Sequence, residues 1–135
     1  MNRETFLKVF GMGLVSPALF KLDPPTQKKP ELIKLSEFFI AGFKFYEGNK
    51  ILSNLNPGDR INVIHETENK YDNRAIRLET QSGKKLGYIP RDSNEIPSNI
   101  LKENQKLTAT IKEIYPTEPD WHKVYIELFL IQPKL

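Results

Sequence analysis

The sequence contains no cysteine and only two histidines among its 135 residues. The lack of cysteine excludes a disulfide framework, a thiolate zinc site and a cysteine nucleophile. His65 and His122 fall on separate predicted strands, so a histidine-based metal site would need carboxylates to complete it. We therefore expect neither a metal ion nor a cofactor.

Motifs of the common catalytic classes are also missing. The chain has no G-x-x-x-x-G-K-[ST] phosphate loop, no H-E-x-x-H zinc helix and no G-x-S-x-G nucleophile turn. Nothing in the sequence singles out a pair of carboxylates for acid–base work. We expect a protein that is not an enzyme and has no catalytic residues.

The composition is typical of one globular domain, with 39% hydrophobic and 27% charged residues. A formal net charge of +3 favours anionic partners only weakly. A small positive excess indicates such a partner when it clusters on one face, and otherwise often serves only solubility.

The first thirty residues differ from the rest. Residues 1–22 begin with a short basic stretch and continue as an apolar run, which is the outline of a bacterial export signal. The string R-E-T-F-L-K resembles a twin-arginine export motif in which Glu4 replaces the second arginine. The segment is equally consistent with a helix that docks on a surface or a protein partner, so the compartment stays open between cytoplasm and export. The run is too short for a stable transmembrane helix, and residues 23–31 form a Pro- and Lys-rich linker.

The folded domain is predicted over residues 32–135 as a series of short strands. An aromatic-rich strand is predicted over residues 37–45, with a kink at Gly42. Alternating patterns predict further strands over residues 60–65, 75–79, 85–89, 106–115 and 122–131. One short helix is predicted within residues 92–103. Five to six strands and one short helix, plus the N-terminal helix, indicate a mainly β protein built as a small OB- or SH3-like barrel.

A polar segment with an aromatic at its centre precedes the hairpin of residues 75–89. Tyr71 in such a loop can offer its ring to a nucleobase. The carboxylate of Asp72 suits a hydrogen bond from a hydroxyl, such as a sugar 3′-OH, better than a phosphate. Alternatively, Asn69 and Asp72 form Asx turns that bond the loop's own backbone, and Tyr71 packs into the core with its hydroxyl at the rim. The residues alone leave both interpretations open.

Three blocks of sequence carry a family resemblance. They are A-G-F-K-F-Y-E-G from Ala41, E-T-E-N-K-Y-D-N-R-A-I from Glu66 and L-G-Y-I-P-R from Leu86. In order and spacing they resemble the HIRAN family, small domains found alone in bacteria and at the front of eukaryotic DNA-repair translocases. The resemblance spans roughly residues 35–131. It implies an OB-like barrel that binds single-stranded DNA, in the studied eukaryotic members at a free 3′ end.

The resemblance also implies roles for individual residues. Tyr71 would stack on the terminal base, Asp72 would accept its 3′-OH, and Asn69 would shape the pocket. The full set of implied nucleic-acid-binding residues is Lys44, Phe45, Asn69, Tyr71, Asp72, Arg74 and Arg91. Lys44 and Phe45 match a basic–aromatic pair at the terminal nucleotides, and Arg91 matches a phosphate contact.

Two positions depart from the family pattern. Arg74 stands where the family usually has asparagine, and Thr67 stands where proline is common. Arg74 therefore either alters the floor of the pocket or adds a phosphate contact.

The sequence thus predicts a non-catalytic module that binds the end of a single nucleic-acid strand, DNA rather than RNA. A protein partner is expected, if at all, through the N-terminal segment. The alternative is an exported or membrane-tethered β-barrel domain that binds a protein or a small polar ligand.

Overall fold

Six β-strands and two short α-helices lie within residues 30–133, the part of the chain that this computed structural model describes. The segment 1–22 and nearly all of the predicted linker 23–31 lie outside it, so the signal, docking and N-terminal helix hypotheses stay predictions. Over residues 30–133 no helix has the length and apolarity needed to cross a membrane. The same residues hold no group of three or more His, Asp or Glu side chains placed to bind a metal ion.

All strand pairs are antiparallel and form one sheet in the order β1-β6-β5-β2-β3-β4. The strands are β1 (Glu31–Phe39), β2 (Arg60–His65), β3 (Ile76–Thr80), β4 (Lys85–Tyr88), β5 (Lys106–Ile114) and β6 (Val124–Gln132). The helices are α1 (Gly48–Ile51), which precedes β2, and α2 (Glu95–Lys102), which precedes β5. The predicted mainly β class with up to six strands is therefore confirmed.

An isolated bridge joins the segment that follows β1 to the opposite edge strand of the sheet, β4. After β1 the chain reaches β4, where the backbone N–H of Ala41 donates to the carbonyl of Tyr88 at 2.9 Å. The N–H of Tyr88 returns a bond of 2.9 Å to the carbonyl of Ala41. Because this bridge is isolated, no continuous ladder within residues 30–133 closes the sheet into a full barrel.

The core follows the two-residue periodicity of the strands. Because successive side chains on a strand point to opposite faces, alternate apolar residues meet on one side of the sheet. The fully buried strand residues include Ile61, Ile76, Leu78, Leu86, Ala109, Ile111, Ile126 and Leu128.

The prediction for the aromatic run 37–45 was wrong at both ends. The strand begins earlier, at Glu31, and ends at Phe39. Gly42 has a φ of 74°, a left-handed conformation that breaks the extended chain, and the 3₁₀ turn Phe43–Phe45 follows. The turn buries Phe43 and leaves Phe45 exposed. Short helix α1 was not predicted, whereas the helix expected within residues 92–103 is α2.

We predict that Gly87→Ala destabilises the fold by more than the strain of its backbone alone. Gly87 has a φ of 147°, and a Cβ there would lie 2.4 Å from the carbonyl oxygen of Ala41. The unfavourable φ costs about 1–3 kcal/mol, and the clash acts directly on the bridge between the sheet edges. Urea unfolding should therefore give a midpoint well below that of the wild type.

Gly83→Ala is the matched control for this prediction. Gly83 also has a positive φ, 92°, but a Cβ there meets nothing within 4 Å. The destabilisation of Gly83→Ala should therefore be limited to the cost of the unfavourable φ. Equal destabilisation by the two variants would contradict the role given to the close approach at Gly87.

Candidate functional site

A groove of about 430 Å³ opens beside the bridge between the sheet edges. Three segments line it: the turn after β1, the loop between β2 and β3, and the stretch from the end of β4 to the start of α2. The lining includes Gly42, Tyr46, Asn69, Tyr71, Asp72, Tyr88, Arg91 and Asn94. The three segments are those of the three sequence blocks, so the fold brings the blocks together.

A second cleft of about 430 Å³ lies at the other end of β3, next to the hairpin turn. Its lining includes Ile51, Leu55 and Ile61, with no aromatic ring and none of the predicted site residues. The groove beside the bridge, in contrast, is lined by three tyrosines and by the predicted site residues Asn69, Asp72 and Arg91. The groove beside the bridge is therefore the candidate site.

Asn69 organises the loop between β2 and β3. Its side-chain oxygen accepts the backbone N–H of Tyr71 at 2.8 Å and that of Asp72 at 3.0 Å. Its side-chain N–H donates to Glu66 Oε1 at 2.9 Å. This is the Asx-type turn expected from local sequence, and the turn aims the Tyr71 and Asp72 side chains at the groove.

Glu66 anchors this loop to the sheet, a role that the sequence reasoning missed. Besides Asn69, its carboxylate accepts the hydroxyl of Tyr88 at 2.9 Å and a guanidinium N–H of Arg77 at 2.8 Å. Burial raises the pKa of Glu66, but the hydrogen bonds from Asn69, Tyr88 and Arg77 outweigh it, and the net shift is downward. The carboxylate therefore stays ionised at neutral pH. The sequence contained one indication of this role, since Glu66 is the first residue of the second block.

Asp72 is held as an anion at the side of the groove. Its Oδ1 accepts the backbone N–H of Arg74 at 2.9 Å, and its Oδ2 accepts the side-chain amide of Asn94 at 3.0 Å. The guanidinium of Arg91 approaches Oδ2 to 3.6 Å. The bond from the Arg74 N–H is the largest cause that lowers the pKa of Asp72; burial opposes it, and Asn94 and Arg91 reinforce it.

Asn94 is the second residue that the sequence reasoning missed. It is only 2% exposed, lies at the start of α2 and contributes to the groove lining. Its amide fixes one oxygen of Asp72 from inside the protein. No local pattern announces this contact, because it joins residues 22 positions apart.

Tyr71 and Arg91 form the open side of the groove. The Tyr71 residue is 88% exposed, so the alternative in which it packs into the core is wrong. The Arg91 guanidinium donates to the Tyr71 carbonyl at 2.9 Å, which ties the loop to the segment after β4. One Arg91 N–H is thus used by the protein, and the exposed guanidinium keeps other donors for a ligand.

Lys44, Phe45 and Arg74 lie outside the groove lining. Lys44 and Phe45 stand on the turn after Gly42, with the Lys44 ammonium 5.2 Å from the centre of the Phe45 ring. Phe45 is 71% exposed. The Arg74 side chain instead approaches Glu95 Oε1 to 3.5 Å, so Arg74 serves the groove through its backbone N–H.

Two tyrosines form the floor of the groove and share one cation. The Lys85 ammonium lies 4.1 Å from the Tyr46 ring centre and 4.6 Å from the Tyr88 ring centre. It also donates to the Tyr88 hydroxyl at 2.8 Å. Cation–π attraction to this ammonium helps to fix the positions of both rings.

A family model and two solved structures match this chain. The family model described as "HIRAN domain" matches residues 33–131 of the chain. This span contains all three sequence blocks and every residue of the groove. No curated protein matches the chain.

Two solved structures share the fold. A protein from Lactobacillus plantarum is 21% identical, with a TM-score of 0.69 over 76% of this chain and 98% of its own. The HIRAN domain of human HLTF is 14% identical, with a TM-score of 0.59 over 81% of this chain and 84% of its own. At such identities the likeness concerns the course of the backbone.

We predict that Asn69→Ala loosens the loop without unfolding the sheet. The variant removes two acceptor bonds to the backbone N–H groups of Tyr71 and Asp72. Each hydrogen bond of this kind contributes about 0.5–1.5 kcal/mol. Hydrogen exchange of these two amides, followed by NMR, should become faster than in the wild type while the amides of β5 and β6 keep their protection.

Asn73→Ala in the same loop is the control, because Asn73 contributes its backbone carbonyl, which the substitution keeps and which accepts a hydrogen bond of 2.9 Å from His65 Nε2. The exchange of the Tyr71 and Asp72 amides should be unchanged in that variant. Faster exchange of the same size in both variants would show that Asn69 has no special role.

Proposed function

The chain belongs to the HIRAN domain family, and we propose that it is a nucleic-acid-binding module that recognises the free 3′ end of a single strand. DNA is the proposed strand, and the module holds it without catalysing a reaction. Support comes from one observation: an exposed tyrosine ring and an anionic carboxylate stand side by side on a loop ordered by its own hydrogen bonds.

Tyr71 supplies the contact that does not depend on sequence. Its ring is exposed at the groove, and the loop beneath it is fixed by Asn69. Stacking of one base on an aromatic side chain contributes about 1–3 kcal/mol. The groove floor of Tyr46 and Tyr88 offers further apolar surface to the sugar or base.

Asp72 supplies the preference for an end. Each of its oxygens already accepts one hydrogen bond, and each can accept a second, because a carboxylate has about four acceptor positions. The anion attracts a hydroxyl donor and repels a phosphate. A strand would therefore place its terminal 3′-OH at Asp72, since at internal positions the same oxygen carries a phosphate.

Arg91 and Lys44 supply the attraction for the preceding phosphates. Arg91 is exposed at the groove, and Lys44 is exposed on the turn beside it. The Arg91 guanidinium can satisfy the Tyr71 carbonyl and a phosphate at once, because its donors point in several directions. Only a few phosphates are neutralised, so affinity should fall moderately with salt.

We predict that Asp72→Asn removes the preference for a hydroxyl end. Wild-type protein should bind a 3′-hydroxyl strand more tightly than the same strand with a 3′-phosphate, because the carboxylate accepts the first and repels the second. The variant should weaken binding to the hydroxyl strand and leave or improve binding to the phosphate strand. Fluorescence anisotropy with 5′-labelled oligonucleotides measures both affinities.

Two further variants complete this experiment. Asp92→Asn, on the exposed turn before α2, has no place in the groove and should behave as wild type. Tyr71→Ala should weaken the hydroxyl strand by about 5- to 150-fold, the equivalent of one stacked base. If Asp72→Asn weakens both ends equally, the carboxylate does not read the hydroxyl.

The contribution of Asp72 should also depend on pH in a defined direction. Because its pKa is lowered, the carboxylate stays ionised well below neutral pH, and its contribution to binding is lost as pH falls through that lowered pKa. We predict a constant affinity ratio between wild type and Asp72→Asn from about pH 8 to pH 5, above the ordinary aspartate pKa of about 3.9. A ratio that collapses between pH 7 and pH 6 would contradict the assignment.

A further inference from the structure

The cleft at the far end of β3, the hairpin cleft, is not used by the function proposed above. One wall is formed by α1 and the turn that follows it, the other by the turn between β3 and β4, and the start of β2 lies between them. Its volume of about 430 Å³ falls within the range of about 300–1,000 Å³ that ligand pockets occupy. The hairpin cleft and the groove share no lining residue, so the cleft is a separate site.

Hydrogen bonds fix the wall formed by the turn between β3 and β4. The hydroxyl of Thr80 accepts the backbone N–H of Lys84 at 3.0 Å, and the N–H of Thr80 donates to the Lys84 carbonyl at 2.9 Å. The side-chain amide of Gln81 donates to Asn62 Oδ1 on β2 at 2.6 Å. The wall is therefore ordered in the ligand-free chain, and a ligand that fits it needs to order little of the protein.

The floor of the hairpin cleft is aliphatic. Leu55 and Ile61 belong to the core, and Ile51 is half-buried at the end of α1 and packs against the same core. None of the described residues that line the cleft carries an aromatic ring, so a nucleobase finds nothing to stack on. An aliphatic side chain placed on this floor would leave water and bury apolar surface, which is favourable in proportion to the area buried.

Two cations stand at the rim of the hairpin cleft. Arg60 and Lys84 are exposed, and within residues 30–133 neither takes part in an ion pair. Asp59 also lines the cleft, but its Oδ2 accepts the backbone N–H of Asn56 at 2.8 Å and so closes the turn before β2. Positive charge therefore exceeds negative charge at the rim, and the complementary ligand carries carboxylates.

The open shape of the hairpin cleft favours a peptide over a small molecule. Asn54, Gln81 and Ser82 line it and are exposed, so it is a depression of the surface and not a closed cavity. Small ligands are usually buried over about 70–90% of their surface, which a depression does not provide. A peptide extends beyond the depression on both sides, and the amide and hydroxyl groups of these three side chains can form hydrogen bonds with its backbone.

We propose that the hairpin cleft binds an acidic peptide segment of a partner protein. The segment inserts one aliphatic side chain between α1 and the turn that joins β3 to β4, and it places carboxylates beside Arg60 and Lys84. Because the cleft and the groove have no residue in common, one chain can hold a peptide and a nucleic-acid strand at the same time. The inference does not depend on the proposed function, since peptide binding involves neither Tyr71 nor Asp72.

Peptide display identifies what the cleft binds. A library of random twelve-residue peptides on phage is selected against the intact chain, and the enriched peptides are synthesised with capped ends. They should share a leucine, isoleucine or valine flanked by aspartate or glutamate. In NMR titrations with these peptides, the backbone amide signals of Arg60, Ser82 and Lys84 should move, and those of Tyr71 and Asp72 should stay in place.

A pair of charge reversals tests the two cations. Arg60→Glu combined with Lys84→Glu should weaken the selected peptides by about 5- to 100-fold, because each substitution turns an attraction into a repulsion. Lys102→Glu combined with Lys106→Glu is the matched control, since both lysines are exposed, lie outside the cleft and change the net charge equally. This control should bind the peptides as the wild type does, and isothermal titration calorimetry measures both affinities.

Asn54→Trp tests the shape of the cleft separately from its charge. Within residues 30–133 the Asn54 side chain makes no hydrogen bond, and only its carbonyl is used, by the Asn56 amide. A large ring at this exposed position covers the floor and leaves the core unchanged. Peptide binding should be lost, while the midpoint of urea unfolding should stay close to that of the wild type.

A 3′-hydroxyl thymidine oligonucleotide distinguishes a peptide site from a second nucleic-acid site. A saturating amount should leave the affinity for the peptides unchanged, and displacement of the peptides would assign the cleft to nucleic acid and overturn the inference. Selection of no peptide, or an equal loss of affinity in the two charge-reversed pairs, overturns it as well. If the wild type binds no oligonucleotide, the proposed function fails and the peptide result stands.

Discussion

The carboxylate of Glu66 is the interaction on which the geometry of the groove depends. It gathers Asn69 from the loop, Tyr88 from β4 and Arg77 from β3 at one point. Because hydrogen bonds to an ionised group are stronger than neutral ones, a single side chain can hold three segments in register. Asn69 in turn fixes the backbone of Tyr71 and Asp72, because its side-chain oxygen accepts a hydrogen bond from the N–H of each.

The groove places the carboxylate of Asp72 beside the guanidinium of Arg91, and in the proposed function the two charges have separate tasks. Asp72 is kept ionised by donors from within the protein, chiefly the backbone N–H of Arg74 and the amide of Asn94. Arg91 lies close to this carboxylate, but it bonds the Tyr71 carbonyl and stays largely in solvent. A carboxylate beside a guanidinium can accept a hydrogen bond from an alcohol while the guanidinium attracts a phosphate.

Local features of the chain could be predicted, and contacts between distant segments could not. Alternation placed β2 to β6 within a few residues, because each strand has one buried face. The turn-forming capacity of Asn69 was visible, but the sequence could not show whether Tyr71 points inward, since both orientations satisfy the pattern. Asn94 became a site residue only when α2 folded against the loop. The end of β1 was misjudged because aromatic residues favour strands, and the left-handed φ at Gly42 overrode that preference.

The hydrogen bonds of the β2–β3 loop have a consequence for how fast and how tightly such a small module can work. The loop is held by its own hydrogen bonds in the ligand-free chain, so a ligand that binds this conformation costs little chain entropy. Binding then needs no rearrangement of the loop, and different ligands should differ in dissociation rate more than in association rate. A small module with a pre-ordered loop of this kind is suited to rapid binding and release.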